Sequence, residues 1–347
     1  MKLRIYFRPT FAVSLLLAVT LLLWVPVLTL RHGCWLLPPA LFYSALSLIS
    51  AWALRRISIL ERPSIWSTPR RLLILAPHED DCVISAGGIA LCNLRLGGTI
   101  RVVFLAPDET PERREVRAAE ARAAWALAGC APETVQHKAL LPPLNNRAPE
   151  TLRAAAVQLR AIIDEFKPTA VVTPMFEGGH IHHDMLAALL GTITTTDDRF
   201  EIYEAPEYSP YVSLNYTPHR IIALCARWLF GMVSYYGPPD GIDARPIQKF
   251  ELDDSDIVTK RQMLNCFTSQ NAPSLSATRC YPDRLVRMTL DRSWARPFSF
   301  APSYLRLALA ARRVLPRQLA RALFPGPTGT IGRDGGLTDW QREWSGD

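Results

Sequence analysis

The chain has 347 residues, 49% of them hydrophobic, a formal net charge of +7 and seven cysteines. That length holds one large domain or two modest ones, and the basic balance points to an anionic partner, whether nucleic acid, lipid headgroups or a phosphorylated substrate. The cysteines form no C-x-x-C pair and no regular framework, which excludes a disulfide scaffold and reads as reduced thiols facing the cytosol.

Thr10 to Leu30 runs without a charge and is long enough to cross a bilayer. The short link Arg31-His32-Gly33-Cys34 leads to a second uncharged run, Trp35 to Leu54, whose Pro38-Pro39 pair is tolerated near a helix start. Lys2, Arg4 and Arg8 precede the first run and Arg55, Arg56 and Arg62 follow the second, while the link carries only Arg31. The positive-inside rule then predicts a two-pass hairpin over residues 1–60, in the inner or cytoplasmic membrane, with both ends in the cytoplasm. A signal peptide would explain the first run, but no convincing small-residue cleavage site is present and a second run follows at once. A buried helical hairpin of a soluble protein is the other alternative.

Residues 61–70 read as a linker, with Pro63 and Pro69 as breakers. From Arg71 the pattern alternates: strand Leu72–Ala76, helix Ala86–Leu96 opened by Gly87-Gly88, strand Ile100–Leu105, helix Pro111–Gly129, helix Glu150–Phe166, strand Ala170–Thr173 and helix from Met185. This implies an α/β domain over residues 71–283, with a Rossmann-like, mostly parallel sheet flanked by helices. Within it, Ile202 to Tyr211 reads as a loop lining a cleft, Arg220 to Tyr236 as a core helix or interfacial segment, and Asp256 to Gln270 as a helix. Residues 284–324 form a basic extension in which Arg306, Arg312, Arg313, Arg317 and Arg321 lie among leucines and alanines, as on an interfacial helix facing an anionic membrane surface. A solvated basic face packed on the core fits the same pattern. Residues 325–347 are a loose tail rich in Gly and Pro. No DNA- or RNA-binding motif is recognisable, so no nucleic-acid partner is expected.

Two clusters carry the chemistry. Pro77-His78-Glu79-Asp80-Asp81 follows the first strand of the α/β domain, and His180-Ile181-His182-His183 follows Ala170–Thr173. Open parallel sheets bind ligands beyond the carboxyl ends of their strands, which explains how clusters a hundred residues apart can meet. His78 and Asp81 can turn toward one metal and His183 can complete the set, leaving Asp80 as a general base and His180 to polarise a carbonyl or protonate a leaving amine. Two histidines and a carboxylate suit zinc, iron(II) and manganese alike. Asp-Asp before a helix also suits capping, and Asp184 can cap the helix that follows the histidines.

The paired motifs resemble those of the PIG-L/LmbE family of zinc-dependent deacetylases, which act on N-acetylglucosamine-containing substrates. Arg117-Ala118-Ala119-Glu120, Leu127-Ala128-Gly129 and Lys260 with Ser269-Gln270 support the likeness, which spans roughly Arg71 to Gln270. The resemblance implies that His78, Asp81 and His183 are zinc ligands. It implies that Asp80 is the base for the attacking water, that His180 stabilises the oxyanion, and that Arg117 helps to bind or shape the sugar site. Together with the hairpin it predicts a membrane-anchored hydrolase that removes the N-acetyl group from a GlcNAc-containing glycolipid or lipid-linked sugar at the cytoplasmic face. Three departures stand out: Cys82 where the family often has Glu, His182 where it often has Asp or Asn, and Pro142 to Arg147 where many members carry an Asp-containing segment. The alternatives are a catalytically lapsed, membrane-anchored sugar-binding member, or an amidase or esterase acting on another acylated substrate.

Overall fold

A computed structural model describes residues 6–7, 9–30, 33–107, 110–141, 149–177, 180–194, 199–206, 212–213, 229, 232, 247–270, 272–274, 282–288, 295–298, 311, 315–323 and 329–332. The chain divides into two compact units, one of Met1–Glu61, Tyr208–Tyr235 and Ala277–Arg279, the other of Arg62–Glu207, Tyr236–Ser276 and Cys280–Asp347.

The smaller unit is built on two helices, α1 (Pro9–Thr29) and α2 (Leu37–Leu60), joined through a 3₁₀ turn at Gly33–Leu36. The two prolines Pro38 and Pro39 sit in the first turn of α2, where the missing N–H donors leave no bond unmade. A polar seam runs between the helices. Thr20 Oγ1 is 2.7 Å from Ser47 Oγ, and Trp24 Nε1 donates to Ser44 Oγ at 2.8 Å. These pairings run in opposite directions along the chain, so the helices are antiparallel. Small residues of α2, Ala40, Ser47, Ser50 and Ala53, are buried along this side, while Leu21, Leu22, Leu28, Phe42 and Leu48 are exposed. Gly33 has no room for a side chain, because a Cβ there would lie 2.0 Å from the carbonyl oxygen of Pro26. In the same unit β1 (Tyr6–Phe7) pairs antiparallel with β8 (Val212–Ser213).

The larger unit holds an eight-stranded sheet in the order β2 (Glu61–Ser64), β9 (Ile247–Phe250), β10 (Asp283–Arg287), β7 (Glu201–Ala205), β6 (Ala170–Pro174), β3 (Arg71–Ala76), β4 (Thr99–Phe104), β5 (Val135–His137). The run from β7 to β5 is parallel, and β10 and β9 extend it antiparallel. The chain builds outward from β3 to β5, then returns to place β6 on the other side of β3. The direction of winding therefore reverses beside β3, the position where open α/β sheets form a crevice.

Helices cover both faces. Leu72, Ile74, Val102, Phe104 and Val172 pack with residues of α3 (Asp81–Arg95), α4 (Pro111–Leu127) and α7 (Asp254–Cys266). The alternate residues Leu73, Leu75, Val103 and Val171 pack with α5 (Pro149–Phe166) and α6 (Ile181–Ile193). This period-two division of one apolar run between two cores is why the central strands are hydrophobic throughout.

Three expectations change. Ile202 to Tyr211 does not begin as a loop: β7 is a buried parallel strand, short and carrying two glutamates, with Glu204 accepting from Phe176 N at 3.3 Å. The stretch 61–70 contains β2, whose edge position tolerates the missing N–H of Pro63. Gly87-Gly88 does not open a helix but lies inside α3, which begins at Asp81. The expectations for Pro142 to Arg147, for Arg306, Arg312 and Arg313, and for most of Arg220 to Tyr236 and of the tail fall outside the described residues. The helix at Arg317–Leu323 and the two-stranded sheet of β11 (Ala295–Phe298) with β12 (Gly329–Gly332) lie within them.

Candidate metal centre

Adjacent parallel strands deliver the two clusters to one place. β3 and β6 are in register from Leu72↔Ala170 to Ile74↔Val172, so the segments leaving their carboxyl ends emerge side by side. After β3 the chain turns directly into α3. His78 N donates to Asp81 Oδ2 at 3.0 Å, which folds the His78–Asp81 segment around that carboxylate. After β6 the chain runs to α6, whose N-cap is His180 rather than Asp184: His180 Nδ1 accepts from His182 N at 3.3 Å. Asp184 instead reaches back, its Oδ1 accepting from Glu177 N at 2.9 Å.

Asp81 Oδ2 is the focus of the centre. His78 Nδ1 lies 2.9 Å from it and His183 Nε2 3.0 Å. The ligand atoms of His78, Asp81 and His183 all fall within 4.8 Å of one another. Two imidazoles and one carboxylate at such separations fit a divalent zinc, iron or manganese ion and leave coordination positions open for water and substrate. His78, His180 and His182 satisfy the same distance limit. The first set has the carboxylate on which two imidazole nitrogens converge, and it leaves His180 to other work.

The two neighbouring aspartates are driven apart. Burial, reinforced by the charge of Asp81 and opposed by His78 and His183, pushes the Asp80 carboxyl up to about 7. Burial acts to raise Asp81 as well, but the charge and hydrogen bonds of His183 and His78 outweigh it and hold that carboxyl well below its usual range. His180 is pushed down to about 3, by desolvation first and then by its neighbours His183 and His78. It is therefore a neutral imidazole. Because Nδ1 accepts a backbone N–H, its proton sits on Nε2, which is free in chemical terms to donate to a developing oxyanion.

All six residues singled out in the sequence lie in this unit, and five surround one point. The sixth, Arg117, sits on α4 with its Nη1 3.8 Å from Glu79 Oε2. Glu79 is the residue that motif reading passed over. His137 Nε2 at the end of β5 lies 3.4 Å from its Oε1. The Gln270 amide, turned to donate, lies 3.2 Å from both Glu79 Oε2 and Asp80 Oδ1. Gln270 is held there in part by the residues before it: Ser269 N and Oγ and Thr268 Oγ1 bond Glu120 at 2.7–2.8 Å. A set of donors thus gathers around the buried Glu79 and reaches Asp80 through Gln270. Its only sequence signal is the pair of distant motifs containing Arg117, Glu120 and Gln270.

Residues 73–193 match the family model described as PIG-L, GlcNAc-PI de-N-acetylase. No curated protein matches the chain. Among solved structures, a triple mutant of the deacetylase Orf2 of the teicoplanin biosynthetic pathway is 19% identical, with a TM-score of 0.44 over 64% of this chain and 100% of that one. The A40926 pseudoaglycone deacetylase Dbv21 is 18% identical, with a TM-score of 0.42 over 60% of this chain and 84% of that one. The N,N'-diacetylchitobiose deacetylase from Pyrococcus horikoshii is 14% identical, with a TM-score of 0.33 over 63% and 84%. The stretch from Leu73 to Ile193, which carries both histidine clusters, is a PIG-L family domain, the domain of a de-N-acetylase hydrolase.

Proposed function

We propose that this protein removes the acetyl group from N-acetylglucosamine on a lipid-linked carrier, working at the cytoplasmic face of a membrane in which its hairpin is anchored. The observation that carries the reading is the convergence of His78 and His183 on Asp81 beside a buried second carboxyl, Asp80, in a PIG-L domain. His78, Asp81 and His183 would hold the divalent ion, zinc or alternatively iron(II) or manganese, which when bound supplies Lewis acidity toward water and the amide carbonyl. Asp80 takes the proton of the attacking water as the oxygen bonds to the acetyl carbon. His180 donates from Nε2 to the oxygen that becomes negative. The C–N bond then breaks, the proton passes to the departing nitrogen, and acetate and a free amino sugar result. Arg117 shapes the sugar side of the site.

The hairpin supports the location. α1 and α2 include two stretches long and apolar enough to cross a bilayer. Thr20 meets Ser47 and Trp24 meets Ser44 between the helices, and large apolar side chains such as Leu21, Leu22 and Phe42 are exposed, the arrangement expected where lipid replaces water.

The full-length protein in detergent, loaded with zinc, is expected to release acetate from GlcNAc-phosphatidylinositol or polyprenyl-linked GlcNAc faster than from soluble GlcNAc conjugates. A chelator should stop release and added metal restore it. Metal-loaded protein that frees acetate from none of these substrates would overturn the enzyme reading. Equal rates on soluble and lipid-linked forms would overturn the substrate class alone.

A further inference from the structure

His182, the residue between the two paired histidines, has a place of its own. It stands in the first turn of α6 at 6% exposure, with its backbone fixed by the His180 cap. Its Nδ1 lies 3.3 Å from Nε2 of His78. The opposite nitrogen of that ring, His78 Nδ1, is the one 2.9 Å from Asp81 Oδ2. A metal held by His78, Asp81 and His183 therefore meets His78 at Nδ1. A neutral imidazole has one lone pair and one N–H. With the lone pair of Nδ1 turned to the ion, the proton must be on Nε2, facing His182.

We propose that His182 is a positioning residue for the metal centre, its Nδ1 accepting from Nε2–H of His78 and so holding His78 in the tautomer that presents Nδ1 to the ion. This rests on the assignment of His78, Asp81 and His183 as ligands. Metal-bound histidines regularly donate their second N–H to a carboxylate, a carbonyl or water, which fixes both tautomer and ring orientation. Here an imidazole takes that place. It accepts without adding a negative charge, so His78 is oriented without the extra basicity a carboxylate partner would lend it. The departure at His182 then changes the electrostatics of the centre and keeps its geometry.

The test is zinc affinity of the full chain in detergent, measured by competition with a chromophoric chelator, for wild type, H182A, H182N, H182Q and D81A. Asparagine places its Oδ1 close to where histidine has Nδ1, whereas glutamine places its amide near the Nε2 position. H182A and H182Q are expected to bind zinc about 10- to 100-fold more weakly, and H182N to stay near wild type. Thermal melts of the metal-free H182N and H182Q forms, followed by circular dichroism, are expected to coincide, which separates positioning from folding. H182Q binding as tightly as H182N, or H182A as tightly as wild type, overturns the proposal. If in that event D81A has lost its zinc, the ligand assignment stands and the positioning role alone fails. If D81A keeps wild-type affinity while H182N loses it, the ion sits on His78, His180 and His182, and the ligand assignment fails with it.

Discussion

Asp80 and Asp81 are one bond apart in sequence and opposite in character. Asp81 points into two imidazoles and is held ionised, while Asp80 is buried beside that fixed charge and its acidity falls. Carboxyls whose surroundings separate their proton affinities divide the work of ligand and base between them. D80N is expected to retain zinc after dialysis and to lose acetate release by about 10² to 10⁴-fold, the usual worth of a general base. D81N is expected to lose the zinc itself. Elemental analysis beside the acetate assay separates the two, and equal metal loss in both variants would sink the division of labour. Cys82 tells a different story. It stands where an acid was expected, yet its Sγ accepts from Trp125 Nε1 at 3.2 Å and donates to Glu79 O at 3.0 Å, and it is fully buried. Burial pushes the thiol well above its ordinary value. The side chain is a packing group that steadies the loop from behind, so its difference from an acid costs the centre no ligand. The two clusters, which the structure brings together around Asp81, were legible in the sequence because each is a local motif. The Glu79 network was not, because its partners come from β5, α4 and the turn after α7, and only tertiary packing brings them together.

At the scale of elements, α3 decides how firmly Asp81 is held, since Asp81 is its first residue. Lys260 of α7 is buried against it and donates to Ile84 O at 3.3 Å and to the buried Asp283. Asp283 Oδ2 in turn accepts from Ile89 N at 2.7 Å. The Gly87-Gly88 pair lets this happen: a Cβ on Gly87 would sit 3.3 Å from Lys260 Cγ, and one on Gly88 would strike Leu252 at 2.4 Å. The glycines that look like a helix start in sequence are there for close approach. Lys260→Met leaves Asp283 as a buried charge without its cation, which is expected to destabilise the unit by about 3–5 kcal/mol. The measurement is the urea midpoint followed by tryptophan fluorescence, with zinc affinity falling in parallel as α3 loosens. A loss below about 1 kcal/mol, the range of an exposed pair, would show that Lys260 and Asp283 do not pin α3. The long helices and the apolar strands β3, β4 and β6 were readable from periodicity. β7 was not, because a five-residue strand buried on both sides of a sheet has no alternation to display, and its two glutamates suggest solvent.

For the whole molecule, the proposed membrane anchoring predicts the side on which each unit lies. The two N-terminal helices were legible as two uncharged runs because their composition alone marks them, whereas the Thr20–Ser47 and Trp24–Ser44 seam depends on register that composition does not carry. The basic flanks outside both runs predict that the link lies on the non-cytoplasmic side and the metal centre in the cytoplasm. The protein has its own probes for this. Cys34 lies in the link and is exposed, while Cys266 lies at the end of α7 in the larger unit and is partly exposed. Two variants, one retaining Cys34 alone and one retaining Cys266 alone, would be treated in intact cells with a membrane-impermeant maleimide. Cys34 is expected to label before permeabilisation and Cys266 only after it. Labelling of both before permeabilisation would place the catalytic unit outside the cytoplasm. Labelling of Cys34 only after permeabilisation, in a protein that alkaline carbonate then strips from the membrane, would show that the hairpin does not cross, and the case for a lipid-linked substrate would lose its topological support.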